Sequence, residues 1–250
     1  MDLIAKMWNF AEMCSHDDQD SGDNDGDKKD YIKDNLQKEF PGSIITTCEN
    51  SLDYMYIIES ENEVVFVWRG TVGLDGWIDD FNIFPLYDDM IHNGFYDAIQ
   101  PFIKPIYDYL NQCKDKKVYY TGHSRGGALS QLAAYILAKK YNIKGTVVAF
   151  GSPVVGNKKF KLEYEQFVTD STRVVNGYDL ITRIGDQTIA KHAGKLLHLK
   201  QPWWHWFSNI RKLYDHAYSQ YTDALIKYYE NKKDKEAVNL LKNIRKRCNI

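Results

Sequence analysis

The sequence predicts an α/β fold with a mostly parallel central sheet and helices on both faces. A β-rich run at 117–121 leads through Gly122 and Gly126 into a segment whose apolar residues have helical spacing. Three more strand-like runs come earlier in the chain, at 44–47, 54–58 and 64–68. With 250 residues and 44% hydrophobic side chains, the chain is long and apolar enough to form a single domain spanning residues 1–250.

The first predicted element is a short amphipathic helix. Apolar residues recur there at helical spacing: Leu3, Ile4, Met7, Trp8 and Ala11. The stretch has no basic n-region and no uninterrupted apolar run, so we do not interpret it as a signal peptide. We expect a cytoplasmic or membrane-peripheral protein, secreted only if a signal peptide has been removed. Reduced thiols are then expected at Cys14, Cys48, Cys113 and Cys248.

Residues 17–30 hold seven aspartates among Gly, Asn and Ser, which predicts a mobile loop. If Gly26 took the sixth position of a calcium-binding EF-hand loop, Ser21 would be first and Ile32 twelfth, where an acid is needed. The segment therefore does not fit an EF-hand, and adventitious calcium binding is the minor alternative to a solvated loop.

The run after Gly122 places Ser124 at a turn between a strand and a helix. An exposed serine between two glycines is what a nucleophile elbow requires, because the sharp turn lifts the side chain above the sheet. Glycines on either side permit the close approach of strand and helix. We therefore predict that Ser124 is a nucleophile.

A serine nucleophile needs an imidazole base and a carboxylate that orients the base. Asp179 follows the short β-rich run 173–176 at a turn, the expected place for the acid, while Asp170 precedes that run and Asp186 lies well past it. Four histidines follow Asp179: His192, His198, His205 and His216. His216 lies in a polar stretch suited to a loop, and His192 is its main competitor.

The C-terminal segment near 220–250 is predicted to be a basic helical tail. Residues 227–247 hold eight Lys or Arg against three acids. An apolar stripe runs along the segment: Ala237, Leu240, Leu241 and Ile244. The stripe either packs on the domain or binds an anionic membrane.

Seven segments, in chain order, resemble the class 3, fungal-lipase-like family of α/β-hydrolases. The resemblance covers roughly residues 1–220. The segments include an aromatic-Arg-Gly-Thr strand end, a His-x-Gly-Phe, the elbow, a Gly-x-Pro-x-x-Gly-Asn and a catalytic Asp-His segment. They lie at 65–71, 76–81, 92–95, 121–130, 146–157, 173–179 and 215–218.

The resemblance implies a catalytic triad of Ser124, Asp179 and His216, and a structural role for His192. It also implies an oxyanion hole made by Thr71 and by the backbone N–H of Arg125. The family usually has Leu at the position of Arg125. A cation there is disfavoured by the helix dipole, so its side chain should point to solvent or to an acidic partner, with attraction of an anionic lipid headgroup as the alternative.

The segment 73–84 follows Thr71 directly and is predicted to form a helix. One face of it is apolar: Leu74, Trp77, Ile78 and Phe81. We interpret this helix as a lid over an acyl cleft. The alternative is a permanently packed surface helix, which would show the same stripe.

The resemblance implies a serine carboxylester hydrolase acting on acyl esters of lipids, either triacylglycerol or phospholipid, through an acyl-enzyme. The expected partners are a lipid or other ester substrate and, transiently, a membrane or lipid interface. A net charge of −2 does not favour binding to nucleic acid. No cofactor or metal is implied. The alternatives are an esterase for small or feruloyl esters and a non-catalytic lipase-like binding or signalling protein.

Overall fold

A seven-stranded sheet forms the centre of the molecule. The computed structural model describes residues 2–14, 25–50, 53–70, 86–88, 90–113, 115–184, 190–202 and 213–247. The strands lie in the order β1-β2-β3-β6-β7-β8-β9. β1 to β3 are antiparallel to one another, and every pairing from β3 to β9 is parallel. The predicted mostly parallel sheet is therefore confirmed.

The strands of this sheet are β1 (Ile44–Glu49), β2 (Tyr54–Glu59), β3 (Glu63–Trp68), β6 (Lys117–His123), β7 (Thr146–Phe150), β8 (Ser171–Asn176) and β9 (Lys195–Leu199). A separate two-stranded ladder joins β4 (Leu86–Tyr87) to β5 (Ile91–His92). The strands predicted at 44–47, 54–58 and 64–68 correspond to β1, β2 and β3.

The helices are α1 (Leu3–Met13), α2 (Asp25–Glu39), α3 (Asn93–Gln112), α4 (Arg125–Tyr141), α5 (Lys158–Phe167), α6 (Tyr218–Lys232) and α7 (Lys235–Arg247). A 3₁₀ turn spans Ile181–Arg183. Within the described ranges, no helix is long and apolar enough to cross a membrane.

Each face of the sheet carries its own apolar core. In β3, Phe66 packs in one core with α3, α4 and α5, while Val65 and Val67 pack in the other with α1, α6 and α7. This alternation follows from the two-residue period of a strand, which buries successive side chains on opposite faces. Helices therefore cover both faces, as the sequence predicted.

The acidic segment at 17–30 differs from the prediction, because α2 begins at Asp25. Residues 25–30 are thus helical, and the part of the predicted loop at 17–24 lies outside the described residues. Ile32 and Leu36, one turn apart, are buried and fix the helix on the domain.

The basic C-terminal segment is two packed helices rather than an exposed tail. Ala237, Leu241 and Ile244 of α7 are buried in the same core as α1. Arg247 Nη2 donates to Glu12 Oε2 at 3.0 Å and to Asn9 Oδ1 at 2.9 Å, both on α1. The apolar stripe is therefore used inside the protein, which is the packed alternative of the sequence analysis.

Candidate active site

Ser124 lies at the sharp turn between β6 and α4, as predicted. Its backbone has φ 57° and ψ −126°, a conformation that non-glycine residues rarely adopt. A Cβ on Gly126 would lie 2.2 Å from the carbonyl oxygen of Trp68, and one on Gly122 would lie 2.5 Å from the carbonyl carbon of Gly126. Both glycines are needed because strand and helix touch through their backbones. Such local strain is typical of functional sites.

Asp179 lies three residues beyond the carboxyl end of β8, where the acid was expected, and is fully buried. Its Oδ1 accepts a hydrogen bond of 2.9 Å from the backbone N–H of Ile181. The rival Asp170 instead accepts from Thr146 Oγ1 at the opposite end of the strand, and Asp186 lies outside the described residues. Asp179 is thus a carboxylate fixed at the edge of the sheet that carries Ser124.

His216 is the histidine that the fold brings to Asp179. Its Nδ1 lies 2.8 Å from Oδ2 and 3.0 Å from Oδ1 of Asp179. The side chain of His216 is 98% buried, and that of Asp179 is fully buried. A hydrogen bond from Nδ1–H to the carboxylate leaves the lone pair on Nε2. Within the described part of the chain, His216 Nε2 and Ser124 Oγ are both buried, and neither makes a hydrogen bond.

Aromatic rings surround the imidazole of His123, which lies against that of His216. The ring of His123, next to Ser124 in the chain, lies 4.5 Å from that of His216 and 4.2 Å from that of Tyr218. The ring of Trp8, in α1, also lies against that of His123, with the ring centroids 5.9 Å apart. Burial lowers the pKa of His123 well below its ordinary value, so this ring stays neutral beside His216.

Tyr221 makes a contact with the site that the sequence does not predict. Its side chain, in the first half of α6, is fully buried, and its hydroxyl donates to Asp179 Oδ2 at 2.7 Å. Burial raises the pKa of Tyr221 well above its ordinary value, so the hydroxyl remains a donor. Nothing in the chain around Tyr221 signals this contact, because it depends on how α6 packs against the sheet.

The other histidines near the C-terminus have structural contacts. His192 Nε2 lies 2.6 Å from the carbonyl oxygen of Thr182, and burial is the main cause that lowers its pKa to about 4. His198 Nε2 lies 2.6 Å from the carbonyl oxygen of Gly177. His205 lies outside the described residues. The described geometry therefore favours His216 over His192 as a base.

Arg125 is the first residue of α4, so its backbone N–H lies at the helix N-terminus directly after Ser124. Its guanidinium forms two hydrogen bonds with Asp53, from Nε to Oδ1 at 2.6 Å and from Nη2 to Oδ2 at 2.9 Å. The sequence left solvent, an acidic partner or a lipid headgroup as contacts for this side chain, and the structure shows the acidic partner.

The other half of the predicted oxyanion hole, Thr71, lies outside the described residues. So does the predicted lid with its apolar face of Leu74, Trp77, Ile78 and Phe81. Both stay predictions from the sequence. The described chain does reach the site at Gly70, where a Cβ would lie 3.8 Å from Ser124 Cβ and 2.9 Å from Tyr218 Oη.

The described ranges contain no group of three or more His, Cys, Asp or Glu side chains that could hold a metal ion. Cys14, Cys48 and Cys113 are free thiols, and Cys248 lies outside the described residues. The chemistry available at the site is that of a buried serine, an imidazole and a carboxylate.

Similarity to known proteins agrees with this geometry. The chain is 30% identical over 156 residues to "Secreted mono- and diacylglycerol lipase 1" of Fusarium solani, covering 57% of this chain and 45% of that protein. It is 41% identical over 69 residues to "Phospholipase A(1) DAD1, chloroplastic" of Arabidopsis thaliana, covering 27% and 15%. The chain thus spans less than half the length of these relatives.

The crystal structure of a lipase from Rhizopus microsporus var. chinensis has a similar fold, with a TM-score of 0.64 at 22% identity. The similarity covers 80% of this chain and 75% of that one. Residues 65–188, which include the elbow and Asp179, match the family Lipase (class 3). The chain belongs to the class 3 lipase family and has the α/β-hydrolase fold.

Proposed function

We propose that this protein hydrolyses acyl esters of lipids through a covalent acyl-enzyme on Ser124. The observation that carries the proposal is the contact between His216 Nδ1 and Asp179 Oδ2 at 2.8 Å, on the sheet edge that holds a serine with φ 57°. This contact fixes the imidazole tautomer that leaves Nε2 as a base.

In the first step, Ser124 Oγ attacks the ester carbonyl while His216 Nε2 takes the hydroxyl proton. The tetrahedral intermediate carries its negative charge on the former carbonyl oxygen. The backbone N–H of Arg125, at the N-terminus of α4, is the proposed donor to this oxygen, and the sequence assigns Thr71 as the second. His216 then returns the proton to the leaving alcohol as the carbon–oxygen bond breaks.

In the second step, water attacks the acyl group on Ser124. His216 takes a proton from the water and gives it to the serine oxygen as the carboxylic acid leaves. Asp179 stays ionised and stabilises the imidazolium formed in each step. Tyr221 and the backbone N–H of Ile181 hold that carboxylate in place.

Lipid acyl esters are the proposed substrate class. One of the relatives above is named for mono- and diacylglycerol and the other for phospholipid, so both classes belong in a test. Such substrates gather in membranes or droplets, so the protein would meet a lipid interface transiently.

The test combines active-site labelling with a substrate panel. A fluorophosphonate probe should label Ser124 in the unmodified protein and should not label the Ser124→Ala variant, as peptide mass spectrometry would show. Ser130→Ala is the matched control, because Ser130 is a fully buried serine of α4 that bonds to the carbonyl oxygen of Gly127. It should retain labelling.

The panel should contain diacylglycerol, triacylglycerol, phosphatidylcholine, p-nitrophenyl butyrate and methyl ferulate. Turnover of any of the three lipids, lost in Ser124→Ala, would support the proposal. Turnover of the butyrate or ferulate alone would support a small-ester esterase. Absence of both labelling and turnover would support a non-catalytic protein and would overturn the proposal.

A further inference from the structure

Arg125 and Asp53 form a largely buried bidentate ion pair beside the proposed nucleophile. The two side chains are 13% and 4% exposed. Arg125 donates from Nε and Nη2 to the two carboxylate oxygens, at 2.6 and 2.9 Å. A parallel two-bond pair of this kind fixes both the distance and the orientation of its partners.

The position of Arg125 explains why it needs a carboxylate. A cation at a helix N-terminus is repelled by the positive end of the helix dipole, and a buried charge without a partner is costly. Nearby His92 adds no second cation, because burial, helped by the charge of Arg125, lowers the pKa of His92 to about 4. Asp53 therefore neutralises the charge at the start of α4.

Asp53 is itself held by the turn between β1 and β2. Its backbone N–H donates to Asn50 Oδ1 at 2.7 Å, and its carbonyl oxygen accepts from the backbone N–H of Asn50 at 3.0 Å. Asn50 Nδ2 also donates to the carbonyl oxygen of Ala98 on α3 at 3.3 Å. The carboxylate of Asp53 is thus held in place by Asn50, which is itself hydrogen-bonded to α3.

The residue after Asp53 contacts the strand end that leads towards Thr71 in the chain. The carbonyl oxygen of Tyr54, the residue after Asp53, accepts a hydrogen bond of 3.0 Å from the backbone N–H of Arg69. Arg69 stands two residues before Thr71 in the chain. Residues 53–54 therefore contact Arg125 through a side chain and the strand end leading to Thr71 through the backbone.

We propose that Asp53 is a positioning residue for the oxyanion hole. Through its ion pair it fixes the backbone N–H of Arg125 at the angle and distance that the developing oxyanion requires. The inference rests on the proposed function. A donor that is displaced, rather than removed, loses part of its effect on the transition state while substrate binding is unchanged.

The test compares kcat and KM in three variants: Asp53→Asn, Arg125→Gln and the double variant. Removing one oxyanion donor costs about 10²–10³ in kcat, so a misplaced donor should cost about tenfold. Both single variants should lower kcat by about tenfold with KM unchanged. The double variant should also lose about tenfold rather than a hundredfold, because both changes break the same pair.

Lys116→Gln is the matched control. Lys116 pairs with Glu59 at 2.7 Å at the other end of β2, with side chains 22% and 15% exposed. This variant should lose thermal stability and keep its kcat. An equal fall of kcat in Lys116→Gln would overturn the inference, because the effect would then come from loss of any partly buried ion pair.

Asp53→Asn with the kcat of the unmodified protein would also overturn the inference, whatever its melting temperature. If the single variants fail to fold, the double variant decides, because it leaves no buried charge unpaired. A double variant with full kcat would show that the pair only compensates charge. Failure of the proposed function would appear differently, as absence of probe labelling at Ser124 in the unmodified protein.

Discussion

Tyr221 donates a hydrogen bond of 2.7 Å to Asp179 Oδ2, the same oxygen that lies 2.8 Å from His216 Nδ1. The phenol therefore acts on the proposed base through the carboxylate between them. The ring of Tyr221 also stacks on Trp8 at 5.5 Å, a contact that phenylalanine would keep. Tyr221→Phe thus removes the hydrogen bonds of the hydroxyl, to Asp179 and to the backbone of Asn176, and keeps the ring contact.

We expect Tyr221→Phe to lower both stability and turnover. A hydrogen bond to a charged group is worth about 1.5–3 kcal/mol, which is the expected loss in the free energy of unfolding. If about 1.4 kcal/mol of this is expressed in the transition state, kcat falls about tenfold. Denaturant unfolding and steady-state kinetics on one ester would measure the two effects.

Tyr164→Phe is the matched control for Tyr221→Phe. Tyr164 is fully buried, and its hydroxyl forms a hydrogen bond of 2.8 Å with Ser171 Oγ, remote from His216 along the sheet. It should lose stability without losing kcat. Equal losses of kcat in the two variants would contradict a specific role for Tyr221.

Replacing the two competing histidines should separate chemistry from stability. His216→Ala removes the proposed base, so kcat should fall by at least about 10³-fold with the fold intact. His192→Ala removes the contact with the carbonyl oxygen of Thr182 and should reduce mainly the melting temperature. If the large loss of kcat moved to His192→Ala in folded protein, the assignment of the base would be reversed.

The glycines of the chain should differ sharply in their tolerance of a methyl group. A Cβ on Gly126 would lie 2.2 Å from the carbonyl oxygen of Trp68, whereas one on Gly42 has no atom within 4 Å. Gly126→Ala should cost more than about 2 kcal/mol of stability, because backbone must move. Gly42→Ala should cost about 1 kcal/mol, from its φ of 87° alone. Similar melting temperatures would show that strand and helix are less closely packed than described.

The elbow could be predicted from the sequence because its pattern is local. Gly122 and Gly126 stand within a few residues of Ser124, although the carbonyl oxygen that excludes a side chain at Gly126 belongs to Trp68 of β3. Helices on both faces of the sheet were also predicted, which agrees with β3, where successive side chains are buried on opposite faces.

The contacts that tune the site could not be predicted in this way. Asp53 lies 72 residues from Arg125 in the chain, and Tyr221 lies 42 residues from Asp179. Each contact depends on how a turn or helix packs on the sheet, and a short sequence pattern does not predict that packing. The start of α2 at Asp25 was missed for a related reason, because its acidic first turn has no apolar periodicity.

Acid should destabilise the protein through histidines held in the neutral form, among them His92 and His192. Burial is the main cause that lowers the pKa of His92 and of His192 to about 4. An unfolded histidine has a pKa of about 6.5, so between these values the unfolded chain binds protons that the native protein does not. The stabilisation is complete above about pH 6.5 and is lost as the pH falls towards 4.

His192→Gln should flatten this dependence of stability on pH. One proton taken up on unfolding changes the free energy by about 1.4 kcal/mol per pH unit, so the variant should lose up to that much slope between pH 6 and 4.5. Glutamine can still donate to the carbonyl oxygen of Thr182, which limits the stability lost at pH 7.5. The free energy of unfolding, measured by urea denaturation at half-unit steps of pH, would give one slope for the variant and one for the unmodified protein. The acidic residues contribute equally to the two slopes, so their contribution cancels in the difference. Parallel curves for the variant and the unmodified protein would show that His192 is protonated in the native state.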